Sequence, residues 1–515
     1  MNRRDLLKSS MFTAASAALQ TRAREISVPQ PTAHSWPENP REVNGSQMPN
    51  VLWIVADQQR ADTIQGLNNP NIRTPNLNKL MKESVTFTRA FCQNPVCSPS
   101  RGSFLTGRYP HTTGLRANGQ RIRESEKLVT RILADYGYAC GLSGKLHLSP
   151  CEGGRIEDRI NDGYSVFWWS HDLSDQWPGH NMWHVWLKDK GIKWPSPEPS
   201  NPVWGVPIDP RYTQTAWCSD MAIQFIRQQR KFSPWLMSVN IFQPHHPFWP
   251  TEEYLKRYDP NKLPSPSYRE GELESKPIFQ RIDHQGAYGG TGLSFAKTDD
   301  FTHRRITAAY YAMIEQIDTE VGRMLQALEE TGQTENTIVI YMSDHGEMLG
   351  DHGIYLKGPY FYDCMINVPL IIRWPGKYRA GVQTDALVEL VDIVPTLLEA
   401  AGIPIPAGVQ GHSLTGLLTG RTSKHRDSVF CEHFDSSFLY DPPPMAACVR
   451  TDRYKLAFYS NLNTGELYDL HRDPGEFENL WYSANAKDIR EEMMRCLVAR
   501  LFDTVDPLPE RKCLW

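Results

Sequence analysis

No apolar run in this chain approaches the ~18 residues needed to cross a bilayer, which argues against a membrane span. An excess of either charge is also missing: 55 basic against 59 acidic residues leaves −4. Neither nucleic acid nor an anionic membrane is therefore an expected partner. The ten cysteines include no C-x-x-C pair, which argues against a zinc ribbon or a thioredoxin-like site. Ten in 515 residues are also too few for a disulfide scaffold. No internal repeat is evident. What remains, at 40% apolar and 22% charged residues, is the composition of a globular protein long enough for more than one domain.

Residues 1–30 stand apart. Arg3-Arg4-Asp5-Leu6-Leu7-Lys8 precedes a short run of apolar and small residues from Met11 to Leu19. That order resembles a twin-arginine export signal, so the expected location is periplasmic or secreted. A Pro-rich polar linker is expected over 31–48, a main domain over 49–425, and a smaller subdomain over 426–515.

Short, continuous apolar runs predict buried strands at Val51–Ala56, Tyr138–Ser143, Trp235–Ile241, Thr337–Met342 and Val368–Arg373. A long amphipathic pattern from about Ile306 to Glu330 precedes the fourth. Strands alternating with helices predict an α/β fold with helices on both faces of the sheet. Reactive side chains follow four of the strands: Asp57, then Lys145 and His147, then His245, then Asp344 and His345. In open α/β sheets ligands collect at the carboxyl ends of strands, so these residues are expected on one rim. After about Asp427 the texture changes. Arg453–Tyr459 and Glu466–Leu470 predict a β-hairpin, and 486–502 an amphipathic helix, which makes the smaller subdomain α+β.

The most informative stretch is Pro95-Val-Cys-Ser-Pro-Ser-Arg-Gly-Ser-Phe-Leu-Thr-Gly107. With Cys97, Pro99, Arg101 and Thr106-Gly107-Arg108, it resembles the signature of the type I sulfatases of the alkaline-phosphatase superfamily. Gly144-Lys145-Leu146-His147 resembles that family's second signature, with Leu146 and Cys140 departing from its usual residues. Pro244-His245-His246-Pro247 and Ser343–Gly353, followed by Lys357-Gly-Pro, resemble further segments of it. The carboxy-terminal hairpin fits as well, so the resemblance runs from about 49 to 482.

The resemblance implies a large mixed sheet sandwiched by helices and an enzyme that hydrolyses sulfate esters. Cys97 would be oxidised to formylglycine by a formylglycine-generating enzyme, and would serve as nucleophile and metal ligand. Arg101 would hold and polarise it. Asp57, Gln58, Asp344 and His345 would bind one divalent cation. Lys145, Lys357 and His245 would hold the sulfate, with His245 or Lys357 protonating the leaving oxygen and His147 accepting a proton during elimination. The Asp57-Gln58 pair and His345 depart from the two successive acids and the Asn of many sulfatases. Calcium is the expected ion, with Mn²⁺ or Mg²⁺ the alternatives that fewer carboxylates favour. The same pairings occur in choline-sulfatase-like enzymes and phosphonate monoester hydrolases of the superfamily, which keeps phosphonate or phosphate diesters, or a small sulfate ester such as choline sulfate, as the alternative substrates.

Residues 164–204 carry seven of the fifteen tryptophans, with His171, Asp172, His180, Asn181 and His184 between them. Flat aromatic faces with polar neighbours suit a sugar ring, which predicts a sulfated carbohydrate as substrate and Trp168, Trp169 and Trp183 as its contacts. The competing reading is an insertion that packs a small core on its own tryptophans.

Overall fold

The computed structural model describes residues 48–515 except 175, 196–201, 230–232, 438–439, 511–512 and 514–515. The expected export signal, and all but the last residue of the expected linker, lie outside the described residues.

Nine strands build the main sheet: β1 (Asn50–Asp57), β2 (Val85–Phe91), β3 (Ala139–Gly144), β4 (Val166–Trp169), β5 (Trp235–Pro244), β6 (Thr337–Ser343), β7 (Asn367–Arg373), β8 (Val382–Thr384) and β9 (Val388–Glu389). Their order is β4-β3-β5-β1-β6-β7-β2-β8, with β9 also on β2. Only β7 runs against the others, pairing antiparallel with β6 on one side and β2 on the other. The five runs read from the sequence are all strands. The short edge strands and β2 were not foreseen, because Thr86, Thr88 and Arg89 interrupt the apolar run of Val85–Phe91.

The central strand β1 is buried along its whole length, as its apolar run requires. Leu52, Ile54 and Ala56 join the core beneath the helices Gln214–Gln228 and Asp300–Glu330. Trp53 packs instead on Phe104 of the helix Cys97–Thr106, ring centroids 5.5 Å apart. This alternation is the period of two of a pleated strand, and it puts helices on both faces. The 31-residue helix starts where the Asp299 side chain accepts a hydrogen bond from the Thr302 N–H.

A second sheet, β10 (Ser428–Phe434), β11 (Met445–Thr451), β12 (Tyr454–Tyr459) and β13 (Thr464–Asp469), is antiparallel throughout. The helix Lys487–Asp503 covers it through Met493 and Leu497 on Val449, Leu456 and Leu467. The α+β character expected of the carboxy-terminal region is thus observed.

The tryptophan-rich segment is less separate than its composition suggested. Its first part is β4, an edge strand that pairs in parallel with β3, setting Trp168 beside Ser143 and Trp169 beside Gly144.

Candidate active site

The strand directions bring the candidate residues to one rim. Strands β1, β3, β5 and β6 are parallel and end at Asp57, Gly144, Pro244 and Ser343, just before or at the reactive side chains. Because β7 is reversed, the chain entering it, which carries Lys357, arrives at the same rim.

Cys97 is the first residue of the helix Cys97–Thr106. Pro99 sits in the first turn, where a missing N–H costs nothing. Arg101 lies four residues on, one turn later on the same face, which explains the spacing of the motif. Gly107 ends the helix at φ 71°, a left-handed conformation that glycine adopts without strain. At the end of β3, Gly144 has φ 101°, and a Cβ there would collide with the Asn240 carbonyl of β5. Lys145 can therefore follow the strand only if its predecessor is glycine.

The side chains converge closely. Lys357 Nζ lies 2.9 Å from Cys97 Sγ, 2.8 Å from Gln58 Oε1 and 2.7 Å from His245 Nε2. Lys145 Nζ is 2.5 Å from Asp57 Oδ2. Arg101 donates through Nε to Asp344 Oδ2 at 2.9 Å and through Nη1 to the Lys145 carbonyl at 2.7 Å. Its Nη2 stands 3.4 Å from Asp57 Oδ2. His345 Nε2 is 3.1 Å from Cys97 Sγ, while its Nδ1 lies 2.9 Å from the Gly346 carbonyl. A carbonyl only accepts, so Nδ1 carries the proton and Nε2 is turned toward the cluster.

Three cations held among buried carboxylates dominate the electrostatics. Burial alone would raise the Asp57 carboxyl, but the charges of Lys145, Arg101 and Lys357 hold it well below the usual range. Burial and Asp57 raise the Cys97 thiol, and Lys145, Lys357 and His345 outweigh them, leaving it lowered. Burial lowers His345, yet Asp344 and Cys97 push it up to about 9. His147 and His245 are held well below the ordinary imidazole range, first by burial and then by Lys145 and Lys357 respectively. Both are neutral near pH 7.

Two polar residues on this rim adopt left-handed backbone angles, Gln58 at φ 70° and His147 at φ 62°. Such residues cost about 1–3 kcal/mol each and persist when their surroundings hold them. Gln58 N donates to Asp344 Oδ1 at 3.0 Å, and its carbonyl accepts from Tyr310 at 2.6 Å. His147 N donates to Glu157 Oε2 at 2.8 Å.

The four groups Asp57, Cys97, Asp344 and His345 are fully buried and offer donor atoms within 4.8 Å of one another. Two carboxylates, an imidazole Nε2 turned toward them and the Cys97 position suit one divalent cation, whose binding would displace the Nε2 proton. Gln58 adds an amide oxygen aimed at the same place. Its Nε2 donates to Glu347, which accepts only, so Oε1 faces Lys357 and Cys97.

All ten polar candidates thus meet on one rim or line its cavity. The tryptophans do not follow the expectation. Trp183 is fully buried and donates to the Tyr212 carbonyl, Trp169 is buried on Trp177, and Trp168 packs on the core. The partly exposed rings that line the cavity are Trp194 of the same segment and Trp249 and Tyr288 from elsewhere, while Trp177 and Phe242 border it but are buried. The reason is β4: its pairing with β3 commits Trp168 and Trp169 to the sheet.

The sequence reading also left positions without a role. Glu347 is buried and orients Gln58, and Glu157, not singled out, anchors His147 and the Trp169 indole. His246 stacks on His245 with centroids 4.1 Å apart. Asp351 pairs with Arg60 at 2.8 Å, and His352 stacks on Tyr362, so both are structural.

Residues 49–403 match the Sulfatase family, and residues 350–501 match the carboxy-terminal family of N-sulphoglucosamine sulphohydrolase. The chain belongs to the sulfatase family. It is a sulfuric ester hydrolase with a divalent metal site. An arylsulfatase of Clostridium perfringens is 31% identical, covering 88% of this chain and 94% of its own. An N-acetylglucosamine-6-O-sulfatase of Bacteroides thetaiotaomicron is 24% identical, over 91% and 88%. Among solved structures, the phosphonate monoester hydrolase of Agrobacterium radiobacter superposes with a TM-score of 0.77 at 27% identity, over 90% and 97%.

Proposed function

We propose that this sulfatase removes sulfate from a carbohydrate, binding one sulfated chain end at a time. The observation that carries the reading is the cavity over the rim, about 1240 Å³, with Cys97, Lys145, His147 and Lys357 among its lining and the partly exposed Trp194, Trp249 and Tyr288 in its walls. A sulfate needs only the cationic part. The remaining volume, bordered by aromatic faces, suits a sugar ring. The likeness to the N-acetylglucosamine-6-O-sulfatase supports the same substrate class.

Cys97 is read as converted to formylglycine by a dedicated maturing enzyme before export by the twin-arginine route. The Cys-x-Pro-x-Arg segment supports the first step, and the Arg3-Arg4 pattern the second. Asp57, Gln58, Asp344, His345 and the converted residue would hold one cation, with Ca²⁺ favoured by the three oxygen-donor side chains. When bound, the cation supplies Lewis-acid polarisation, and formylglycine supplies a nucleophile able to shed sulfate afterwards.

The chain's own residues do the rest. Lys145, Arg101 and Lys357 place fixed positive charge where the sulfuryl group gains negative charge. His245 Nδ1 faces the His246 carbonyl at 2.5 Å, so its Nε2 accepts from Lys357. Lys357 therefore carries the proton nearest the leaving oxygen, and burial is outweighed by Cys97 and Asp57 to keep it charged. His147, neutral and held through its backbone N–H by Glu157, is the base that accepts a proton when sulfate departs.

The test is sulfate release from a panel of defined sulfated mono- and oligosaccharides. Release from one sugar position is the expected result. The likeness to the phosphonate monoester hydrolase favours a second reading. Silence across the panel with a nitrophenyl phosphonate still cleaved would establish that reading instead.

A further inference from the structure

Behind His147 lies a second cluster of ligating groups, separate from the carboxylates. His147, Cys151 and His171 offer donor atoms within 4.8 Å of one another. His147 is 8% exposed and Cys151 7%. The His147 and His171 rings meet edge to face with centroids 4.7 Å apart. Among the described residues, three ring nitrogens there make no hydrogen bond: His147 Nδ1 and both nitrogens of His171. The nearest carboxylate to His171 Nδ1, that of Asp172, is 3.8 Å away, beyond hydrogen-bonding distance. Buried polar atoms without partners are costly, about 1–3 kcal/mol each, so three around one thiol call for a ligand.

We propose that His147, Cys151 and His171 form a binding site for a zinc-class metal ion, and that its occupation stops turnover by sequestering His147. The donor set is one sulfur and two imidazoles, which suits Zn²⁺ and its soft neighbours and does not suit calcium. Tetrahedral zinc with ordinary bond lengths sets such donors about 3.5 Å apart, so small side-chain rotations close the site. The fourth position opens into the cavity, which all three residues line. Trp169 and Trp177 pack on Cys151, giving the site an apolar wall.

The chemistry balances simply. The Cys151 S–H bond breaks, a sulfur–metal bond forms, and the proton leaves to solvent; no electron moves. Burial holds both imidazoles below their usual range, so they are neutral and need lose no proton. Burial also raises the Cys151 thiol, which makes displacement of its proton the main cost of binding. The binding stands on these residues alone, whereas the inhibition rests on the role read for His147.

The first test uses the full chain carrying Cys97→Ala, which removes the other thiol near the rim, with calcium saturating. Added Co²⁺ is expected to give a thiolate-to-cobalt charge-transfer band in the near ultraviolet, and Zn²⁺ to displace it. Cys151→Ala in that background, and separately His171→Gln, should abolish or weaken the band at unchanged melting temperature. No band, or a band indifferent to both changes, overturns the proposal. The second test uses the unsubstituted, calcium-loaded enzyme. Zn²⁺ should inhibit hydrolysis of nitrophenyl sulfate, and Cys151→Ser should weaken that inhibition at least about tenfold. Full turnover with zinc bound removes the inhibitory role. An enzyme that cleaves no sulfate ester without zinc would instead count against the sulfatase reading.

Discussion

Lys145→Met tests how the site is held together electrically. Lys145 Nζ and Asp57 Oδ2 are 2.5 Å apart, and neither side chain is more than 1% exposed. Removing one partner of a buried pair costs about 3–5 kcal/mol, and the Arg101 guanidinium, still 3.4 Å from the same oxygen, argues for the lower end. At ~2.1 cal/mol/K per residue, 515 residues unfold with an entropy near 1 kcal/mol/K, so the melting midpoint should fall ~3 °C in chelator. A cation among Asp57, Asp344 and His345 restores positive charge beside Asp57, so in millimolar calcium the fall should nearly vanish. Turnover should not recover. Losing one preorganised charge aimed at the sulfate costs ~10²–10³ in kcat/KM, calcium or not. The assays are thermal unfolding in chelator and in calcium, and hydrolysis of nitrophenyl sulfate. In an Asp57→Asn background the stability cost of Lys145→Met should shrink, because the carboxylate it neutralises is gone. Equal losses in chelator and calcium, or strictly additive single changes, would refute the reasoning.

Glu347→Gln releases the Gln58 amide from its fixed orientation, so calcium affinity should drop about tenfold with the fold intact. Calorimetric titration showing unchanged affinity would contradict that. Trp194→Ala and Trp249→Ala should each lower turnover of a sulfated sugar about fivefold through ~1 kcal/mol of lost ring contact, and leave nitrophenyl sulfate nearly untouched. Equal losses on both substrates would return these rings to packing. Burial pushes Asp283 up from 3.8 to about 6 despite hydrogen bonds from Tyr360, Tyr440 and Gly289. The native state thus holds this proton more tightly than the unfolded chain. Stability should fall by ~3 kcal/mol as pH rises from about 4 to about 6. In Asp283→Asn that part of the decline should be missing from melting midpoints measured across the window, and an unchanged slope would disprove the assignment.

Local rules explain what could be read in advance. Cys97 and Arg101 lie one helical turn apart, so their spacing alone puts thiol and guanidinium on one face. Asp57, Lys145, His245 and Asp344 follow apolar runs that form parallel strands, so one rim was legible too. Glu347 and Glu157 were not. A buried carboxylate that orients a neighbour has the same letter as a solvated one, and only packing tells them apart.

Sequence by itself determined the family and the rim and named the candidate donors, because those follow from motifs at strand ends and on a helical turn. Tertiary structure decided three other things. The reversal of β7, set by its pairing with β6 and β2, carried Lys357 to Cys97 across 260 residues. The pairing of β4 with β3 turned Trp168 and Trp169 into the sheet and left Trp194 to the cavity. Folding also brought His171 to the His147 and Cys151 pair, which lie four residues apart in sequence. Chain pattern governs which face of its own element a side chain occupies. What that face meets depends on surfaces far away in sequence, and there burial and function are settled.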